Sequence, residues 1–424
     1  MPTTRLLHFF FAILSFTACK PAYQAPLYDG KLVEADYWSE EPKILSAGLG
    51  FVGILGIPGK VTEASALAAG AAWYSGMTCA SGEAPEVGMQ TGAASKNGIQ
   101  LVGRGKKAID YGDGLPIVFS WPIATETLQP SAFQFTLNTG EVVIAPMVMM
   151  LPNWEHNERN VAVAVGDFGN RLPSADPEAR YPVRLDIVDG GSPLFLVGPG
   201  GQLFNATGLS WTTDSSPYDP DNGPRLVGAK LNYCGTQPPG EGMGGGSFEQ
   251  RQPTMPNDEF ALYGGGDFRL RMLTTGGFSP DGVTGVKPNQ YEDFFRLHVL
   301  GEDGDTVLLE KASVDYAVKG GKLKVLGLAD LGQKADPAKG IHYDDCYQED
   351  RDNYIDIILV GDEAAARNIR YLEIPSLAGG YKAFYNPGGP GPTPAQGVRY
   401  TQPGPPHLEP VIIALDNPMR VSRE

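Results

Sequence analysis

The densest concentration of ligating side chains in this 424-residue chain is the acidic run that opens at His342. Asp344, Asp345, Glu349, Asp350, Asp352, Asn353 and Asp356 place seven oxygen donors within thirteen residues, immediately before and into the apolar run Tyr354-Ile-Asp-Ile-Ile-Leu359. Carboxylates held that close repel one another. A hard divalent cation relieves the repulsion and takes the six to eight oxygen ligands that Ca2+ prefers. Three readings fit the same residues. One is a solvated acidic loop. The second is a structural Ca2+ site with Asp344, Asp345, Glu349, Asp350, Asp352 and Asp356 as ligands. The third is a catalytic metal centre that recruits His342. A weaker acidic loop surrounds Asp214, Asp219 and Asp221, with a turn glycine at Gly223; Asx-turn chemistry accounts for it without metal. The run Trp154-Glu155-His156-Asn157-Glu158 is a polar loop in which Glu155 and Glu158 are available to a metal, a plain polar loop being the simpler account.

Nucleophile and cofactor motifs are missing. There is no Gly-x-Ser-x-Gly elbow, Walker loop, His-Glu-x-x-His, Cys-x-x-Cys or dinucleotide fingerprint, and the acidic run lacks the glycine and closing glutamate of an EF-hand. Ser81 follows Cys79 closely but has no base near it in sequence. Beyond the first 18 residues the histidines are His156, His298, His342 and His407. His298 alternates with apolar neighbours, which suits a strand. A catalytic site assembled from distant residues is compatible with all of this, but no residue announces it. Among the tryptophans Trp38, Trp73, Trp121, Trp154 and Trp211, the last two sit near loops, where an indole can stack on a sugar ring or fill a partner's pocket; core packing is the alternative for each.

The N-terminus has the proportions of an export signal. A short start ending in Arg5 precedes the apolar residues Leu6-Leu-His-Phe-Phe-Phe-Ala-Ile-Leu-Ser-Phe16, too few to remain as a membrane span. The ending Phe16-Thr17-Ala18-Cys19 resembles the lipobox of bacterial lipoproteins, with Phe16 where leucine is usual. That resemblance implies cleavage before Cys19, acylation of its thiol and attachment to a membrane. A Pro-containing stretch then reads as a tether. With Cys19 acylated, Cys79, Cys234 and Cys346 remain, giving one disulfide plus a free thiol, or three buried reduced side chains.

Composition narrows the architecture. Gly 55 and Pro 36 together make roughly a fifth of the chain, against about 12% in an average protein. They are spread between apolar runs, which favours many short strands joined by loops. The formal net charge of -16 opposes binding to nucleic acid and anionic surfaces.

The expected organisation is a signal peptide over residues 1–18, a lipid anchor and tether over 19–43, and a Gly-rich segment with a short helix over 44–110. A β-sandwich over 111–235 and a second β-rich domain over 236–424 follow. Thr62 is placed to cap a helix running through Trp73, with Gly76 to stop it. Strands are expected at 116–121, 132–137, 142–145, 161–165 and 183–188, then at 268–272, 294–299, 322–326, 354–359 and 411–414. The stretch Val118-Phe-Ser-Trp-Pro-Ile123, Thr127-Leu-Gln-Pro-Ser-Ala-Phe133 and the Gly140 turn resembles bacterial Ig-like modules. This implies a sandwich that serves as spacer or binding platform. Leu128-x-Pro130-x-x-Phe133 is echoed by Val286-x-Pro288-x-x-Tyr291, as a duplicated sandwich would require. The larger run from residue 111 onward also resembles uncharacterised secreted proteins.

The fold class expected is therefore mainly β, with tandem Ig-like sandwich units, long Gly/Pro-rich loops and one or two short helices. The function expected is that of an exported, membrane-anchored lipoprotein acting as a binding or structural module with a Ca2+-stabilised loop and a glycan or protein ligand. The alternative is a secreted metal-dependent hydrolase or lyase acting through residues 344–356.

Overall fold

Three strands decide the architecture. Asp113–Phe119, Val161–Gly166 and Phe268–Thr274 are buried along their whole lengths, which a sheet permits only when both of its faces are covered. The computed structural model describes residues 26–47, 54–76, 87–105, 108–153, 155–170, 172–217, 219, 225–235, 259–277, 285–329, 353–375 and 407–424. The described chain is mainly β and forms two sandwiches. In the first, a five-stranded sheet runs in the order Ile44–Ala47, Asp113–Phe119, Val161–Gly166, Met147–Met149, Arg104–Gly105. It faces a four-stranded sheet ordered Ser210–Thr212, Pro182–Ile187, Phe133–Leu137, Val142–Ile144. Leu115, Ile117 and Phe119 from one sheet meet Phe133, Phe135, Leu185 and Ile187 from the other in one core.

The second sandwich repeats this plan. Its six-stranded sheet runs Tyr316–Val318, Gly321–Ala329, Tyr354–Gly361, Phe268–Thr274, Leu226–Tyr233, Ile412–Ile413, and faces Thr306–Leu309, Arg296–Leu300, Ile369–Ile374, His407–Pro410. Eight strands correspond one to one in chain order, neighbours and antiparallel sense. Ile44–Ala47 pairs with Asp113–Phe119 as Leu226–Tyr233 pairs with Phe268–Thr274. Phe133–Leu137 lies between its hairpin partner and Pro182–Ile187 as Arg296–Leu300 lies between Thr306–Leu309 and Ile369–Ile374. The faint sequence echo falls at one equivalent point: a short helical turn, Pro130–Ala132 or Tyr291–Phe294, feeds the same strand in each unit. Phe133 and Tyr291 are both fully buried there.

The sandwiches pack back to back. In Phe268–Thr274 the residues Phe268, Leu270 and Met272 enter the second core, and Leu273 points the other way. Leu273 and Tyr354 meet Trp38, Val118 and Val161 of the first unit, with Leu45 and Val227 at the margin. Gly228 admits this approach, since a Cβ there would stand 2.5 Å from the Trp38 ring. Both broad sheets are thus covered on two faces, which explains why Pro116-Ile-Val-Phe119 and Val161-Ala-Val-Ala-Val165 read as unbroken apolar runs. The ends of the described chain close the seam: Leu32–Asp36 pairs with Arg420–Arg423.

Three boundaries differ from expectation. The tether expected over 19–43 is packed from Leu27 onward, because Leu27 and Tyr28 fill the first core. Residues 44–110 are not a separate segment, since Ile44–Ala47 is an edge strand of the first sandwich and Ile99 and Val102 pack in its core. The second unit begins by Leu226, not after residue 235, because Leu226–Tyr233 pairs with Phe268–Thr274. The capped helix is also shorter. Thr62 and Ser65 form the capping box, but the helix is Glu63–Ala68. Gly70, at φ +85°, ends it in a Schellman turn, with Gly70 N–H donating to Leu67 O (3.0 Å) and Ala71 N–H to Ala66 O (3.0 Å).

Candidate functional site

Two places gather polar side chains. The first is the seam. Arg269 and Arg271 alternate with the core residues of their strand, so they project from its outer face, which an isolated sandwich would turn to water. Here the first unit covers that face, and the charges are paired inside the protein. Arg271 forks onto Asp356, Nε to Oδ1 at 2.9 Å and Nη2 to Oδ2 at 3.1 Å. Its Nη1 is 3.3 Å from Asp36 Oδ2 and its Nη2 is 3.3 Å from Glu158 Oε1. Asp36 also receives Lys230 Nζ at 2.6 Å and Arg420 Nε at 3.2 Å, while Arg269 Nε lies 3.4 Å from Asp356 Oδ2. Lys230 Nζ donates further to Met419 O at 2.8 Å and lies 5.2 Å from the Trp38 ring centroid.

Asp36, Lys230, Arg271 and Asp356 are at most 1% exposed. Burial raises the Asp36 carboxyl, but Lys230, Arg420 and Arg271 outweigh it and hold the group well below the usual carboxylate range. Burial pulls the Lys230 ammonium down to about 8, with Asp36 resisting, so the pair is ionised at neutral pH. Four cations and three carboxylates from six segments far apart in sequence are thereby locked together. A buried pair of this kind contributes little net stability, but loss of one partner is costly because it strands the other charge.

The second gathering is the loop that links Met147–Met149 to Val161–Gly166. Asn153, Glu155, Asn157, Glu158, Arg159 and Asn160 are all 0% exposed, and His156 is 7% exposed. Arg159 Nη1 donates to Asp29 Oδ1 at 2.6 Å and to Thr125 Oγ1 at 3.2 Å; His156 Nε2 lies 3.1 Å from Asp29 Oδ2. Burial raises the Asp29 carboxyl, but the His156 hydrogen bond and Arg159 overcome it and lower the group to about 2. Asn160 Nδ2 donates to Phe119 O and its Oδ1 accepts from Tyr354 O–H at 2.9 Å, which ties the loop to both units. The Nδ2 and Oδ1 atoms of Asn153 and Asn157 have no protein partner.

The residues singled out by sequence divide accordingly. Asp356 is not a free ligand, since both of its oxygens are held by guanidinium groups of the seam. Asn353 is buried, and its Nδ2 donates to Thr274 O at 2.7 Å. His342, Asp344, Asp345, Glu349, Asp350 and Asp352 lie outside the described residues, as do Cys19, Cys79, Cys346, Trp154 and Asp221. Asp219 Oδ1 accepts from Ser174 N–H at 2.9 Å, 45 positions away, so its side chain ties two distant loops rather than closing a local turn. Cys234 is a free thiol whose ionisation burial pushes up to about 12, so it is a poor nucleophile at neutral pH. Trp211 lies in a strand, half-buried against the first core. His407 Nδ1 accepts from Leu226 N–H at 3.1 Å; burial, then Arg225, lowers it to about 4. Among the described residues no group of three or more His, Cys, Asp and Glu side chains is arranged to hold a metal. No described helix is long and apolar enough to cross a membrane.

With cores and seam filled, the sheet faces left to solvent are the outer faces of the two four-stranded sheets. In the first unit that face carries Gln134, Thr136, Arg184 and Asp186 beside Val142 and Ile144. In the second the register aligns Leu308, His298, Tyr371 and Pro410 in one row and Arg296, Glu373 and Leu408 in the next. Leu308, Tyr371 and Leu408 are 41%, 44% and 43% exposed. His298 Nε2 is paired with Glu373, and the Tyr371 ring stands edge-on to the imidazole at 6.3 Å. An aromatic ring beside fixed donor and acceptor groups on a flat sheet is a surface for ring stacking with flanking hydrogen bonds. No protein-family model, curated protein or solved structure matches the chain.

Proposed function

We propose that this protein is an exported, lipid-anchored binding module in which two Ig-like sandwiches form one rigid stalk, and the outer face around Tyr371 is the docking platform. The carrying observation is that face: three exposed apolar or aromatic side chains, one of them the Tyr371 ring, around a paired imidazole and carboxylate, whereas the exposed apolar residues Val142 and Ile144 of the other unit's face are aliphatic only. A glycan is the ligand we favour. The Tyr371 ring offers a stacking plane, and His298, Glu373 and Arg296 offer hydrogen bonds to hydroxyl groups. The Ig-like assignment is supported by strand order. Each unit places its first, second, sixth and fifth equivalent strands in one sheet and its eighth, seventh, third and fourth in the other, the arrangement of Ig sandwiches with an added edge strand. Export and anchoring are supported by the apolar run ending at Cys19, and a Ca2+ held by the acidic residues 344–352 belongs to the same proposal.

Retention on immobilised polysaccharides tests the docking face. Wild type is retained by at least one, and Tyr371→Ala loses at least tenfold in affinity with its melting curve unchanged. Equal retention of both proteins rules out this face. Metabolic labelling with palmitate tests the anchor separately: wild type incorporates label and Cys19→Ser does not.

A further inference from the structure

The strand register of the outer sheet in the second unit constrains the shape of what docks there. Leu308, His298, Tyr371 and Pro410 stand opposite one another on four successive strands. Strands lie about 4.8 Å apart, so this row crosses the sheet over roughly 14 Å. Apolar surface lies toward both ends of it. Leu308 is exposed at one end. Tyr371 and Pro410 are exposed at the other, with Leu408 in the neighbouring row. Between these ends the His298 imidazole is held by Glu373. A protein partner of ordinary size covers roughly 20–30 residues a side, more than two rows of a four-stranded sheet present. A narrow chain laid across the strands meets both apolar ends and the polar middle.

Charge constrains the ligand further. Arg296 and Glu373 of the second row, Glu310 beside Arg296, and Arg370 at the bulge beside Tyr371 sum to zero formal charge. Arg296 Nε lies 3.9 Å from Glu310 Oε2, and its Nη1 donates to Glu292 O at 2.6 Å and to Phe295 O at 2.7 Å. Arg370 Nη2 donates to Asn368 Oδ1 at 3.4 Å. These cations are matched by carboxylates or turned to protein oxygens, so they do not make a cradle for an anion. The formal net charge of -16 repels anionic polymers at longer range. We infer that the ligand of this face is an uncharged linear polysaccharide lying across the strands. One sugar ring stacks on Tyr371, hydroxyl groups meet the His298–Glu373 pair, and a further ring covers Leu308. This rests on the docking reading and adds to it the charge, shape and direction of the ligand.

The test is calorimetric titration of the full chain. The neutral probes are cellohexaose, xylohexaose, mannohexaose, laminarihexaose and chitohexaose, and the acidic probe is hexagalacturonate. At least one neutral probe binds tenfold or more tightly than hexagalacturonate. Its affinity changes less than twofold between about 50 and 500 mM NaCl, because no ion pair is formed for salt to screen. Tyr371→Ala and Leu308→Ala each lower that affinity at least fivefold with unchanged melting curves, since both side chains are exposed and one ligand spans them. Tighter binding of hexagalacturonate that Tyr371→Ala abolishes would leave the docking face standing and overturn the neutral ligand. Loss of binding in Tyr371→Ala with none in Leu308→Ala would overturn the crosswise placement. Binding of no probe of either class removes the docking face and the inference together.

Discussion

Asp36 is where the most distant parts of the chain meet. Its two oxygens receive Lys230, Arg271 and Arg420, and removing it leaves three cations short of a counter-charge at a buried position. Asp36→Ala should cost about 3–5 kcal/mol in denaturant unfolding, the range for breaking a buried ionic group by one partner. Replacing Arg271 and Asp356 together by Met and Leu should cost less than the sum of the single changes, because neither then strands the other. The margin of the seam supplies a pH test. Burial raises the Glu409 carboxyl to about 7, with Lys43 opposing. Its folded-state value thus lies above the unfolded 4.5, so its stabilising contribution is complete below pH 4.5 and is lost as pH rises through 7. His407 has the opposite sign: its folded value of about 4 lies below 6.5, so its contribution is full above pH 6.5 and fades as pH falls through 4. Glu409→Gln should therefore raise the melting temperature at pH 8 and leave it unchanged at pH 4. A rise of equal size at both would contradict this assignment.

Strands were the legible elements, and their partners were not. Alternation in Ala132-Phe-Gln-Phe-Thr-Leu137 marks a half-buried strand correctly, because that sheet has one face in water. Arg269 and Arg271 carry the same signal, yet their face is buried; periodicity reports two faces and does not report what covers them. Leu273 and Tyr354 on that outer face were the hints in the sequence. Leu226–Tyr233 passed unread because its apolar residues are interrupted by Gly228, Lys230 and Asn232, each of which is used in the seam or at its edge. The capped helix was visible through Thr62, but its end was set by Gly70, six residues before the glycine expected to stop it. On the outer face of the second unit, His298 was recognisable as a strand residue; its pairing with Glu373, 75 positions away, was not. At this scale the C-terminal strands carry a clear expectation. His407–Pro410 completes a sheet of the second unit, and Arg420–Arg423 pairs with Leu32–Asp36 of the first. A chain ending before residue 407 should lose the Asp36–Arg420 and Lys230–Met419 links together. Limited proteolysis should then cleave it between the units while full-length protein resists.

At the scale of the whole molecule, the duplication of strand order explains how one chain builds four stacked layers of sheet. Two copies of a sandwich, each with one broad face unsuited to water, cover one another. The broad faces are buried in the seam, and the outer faces remain exposed. This back-to-back arrangement also explains why so many charged residues are buried in a chain with 42% hydrophobic content: they sit on the outsides of the units, and those outsides meet.

Differential scanning calorimetry of the full-length protein addresses the seam most directly. If the two sandwiches are locked by Asp36, Lys230, Arg271 and Asp356, unfolding is one transition, with van't Hoff and calorimetric enthalpies in a ratio near one, and Asp36→Ala lowers or splits it. Two independent transitions in the wild-type protein, with neither moved by Asp36→Ala, would contradict the welded seam on which the account rests.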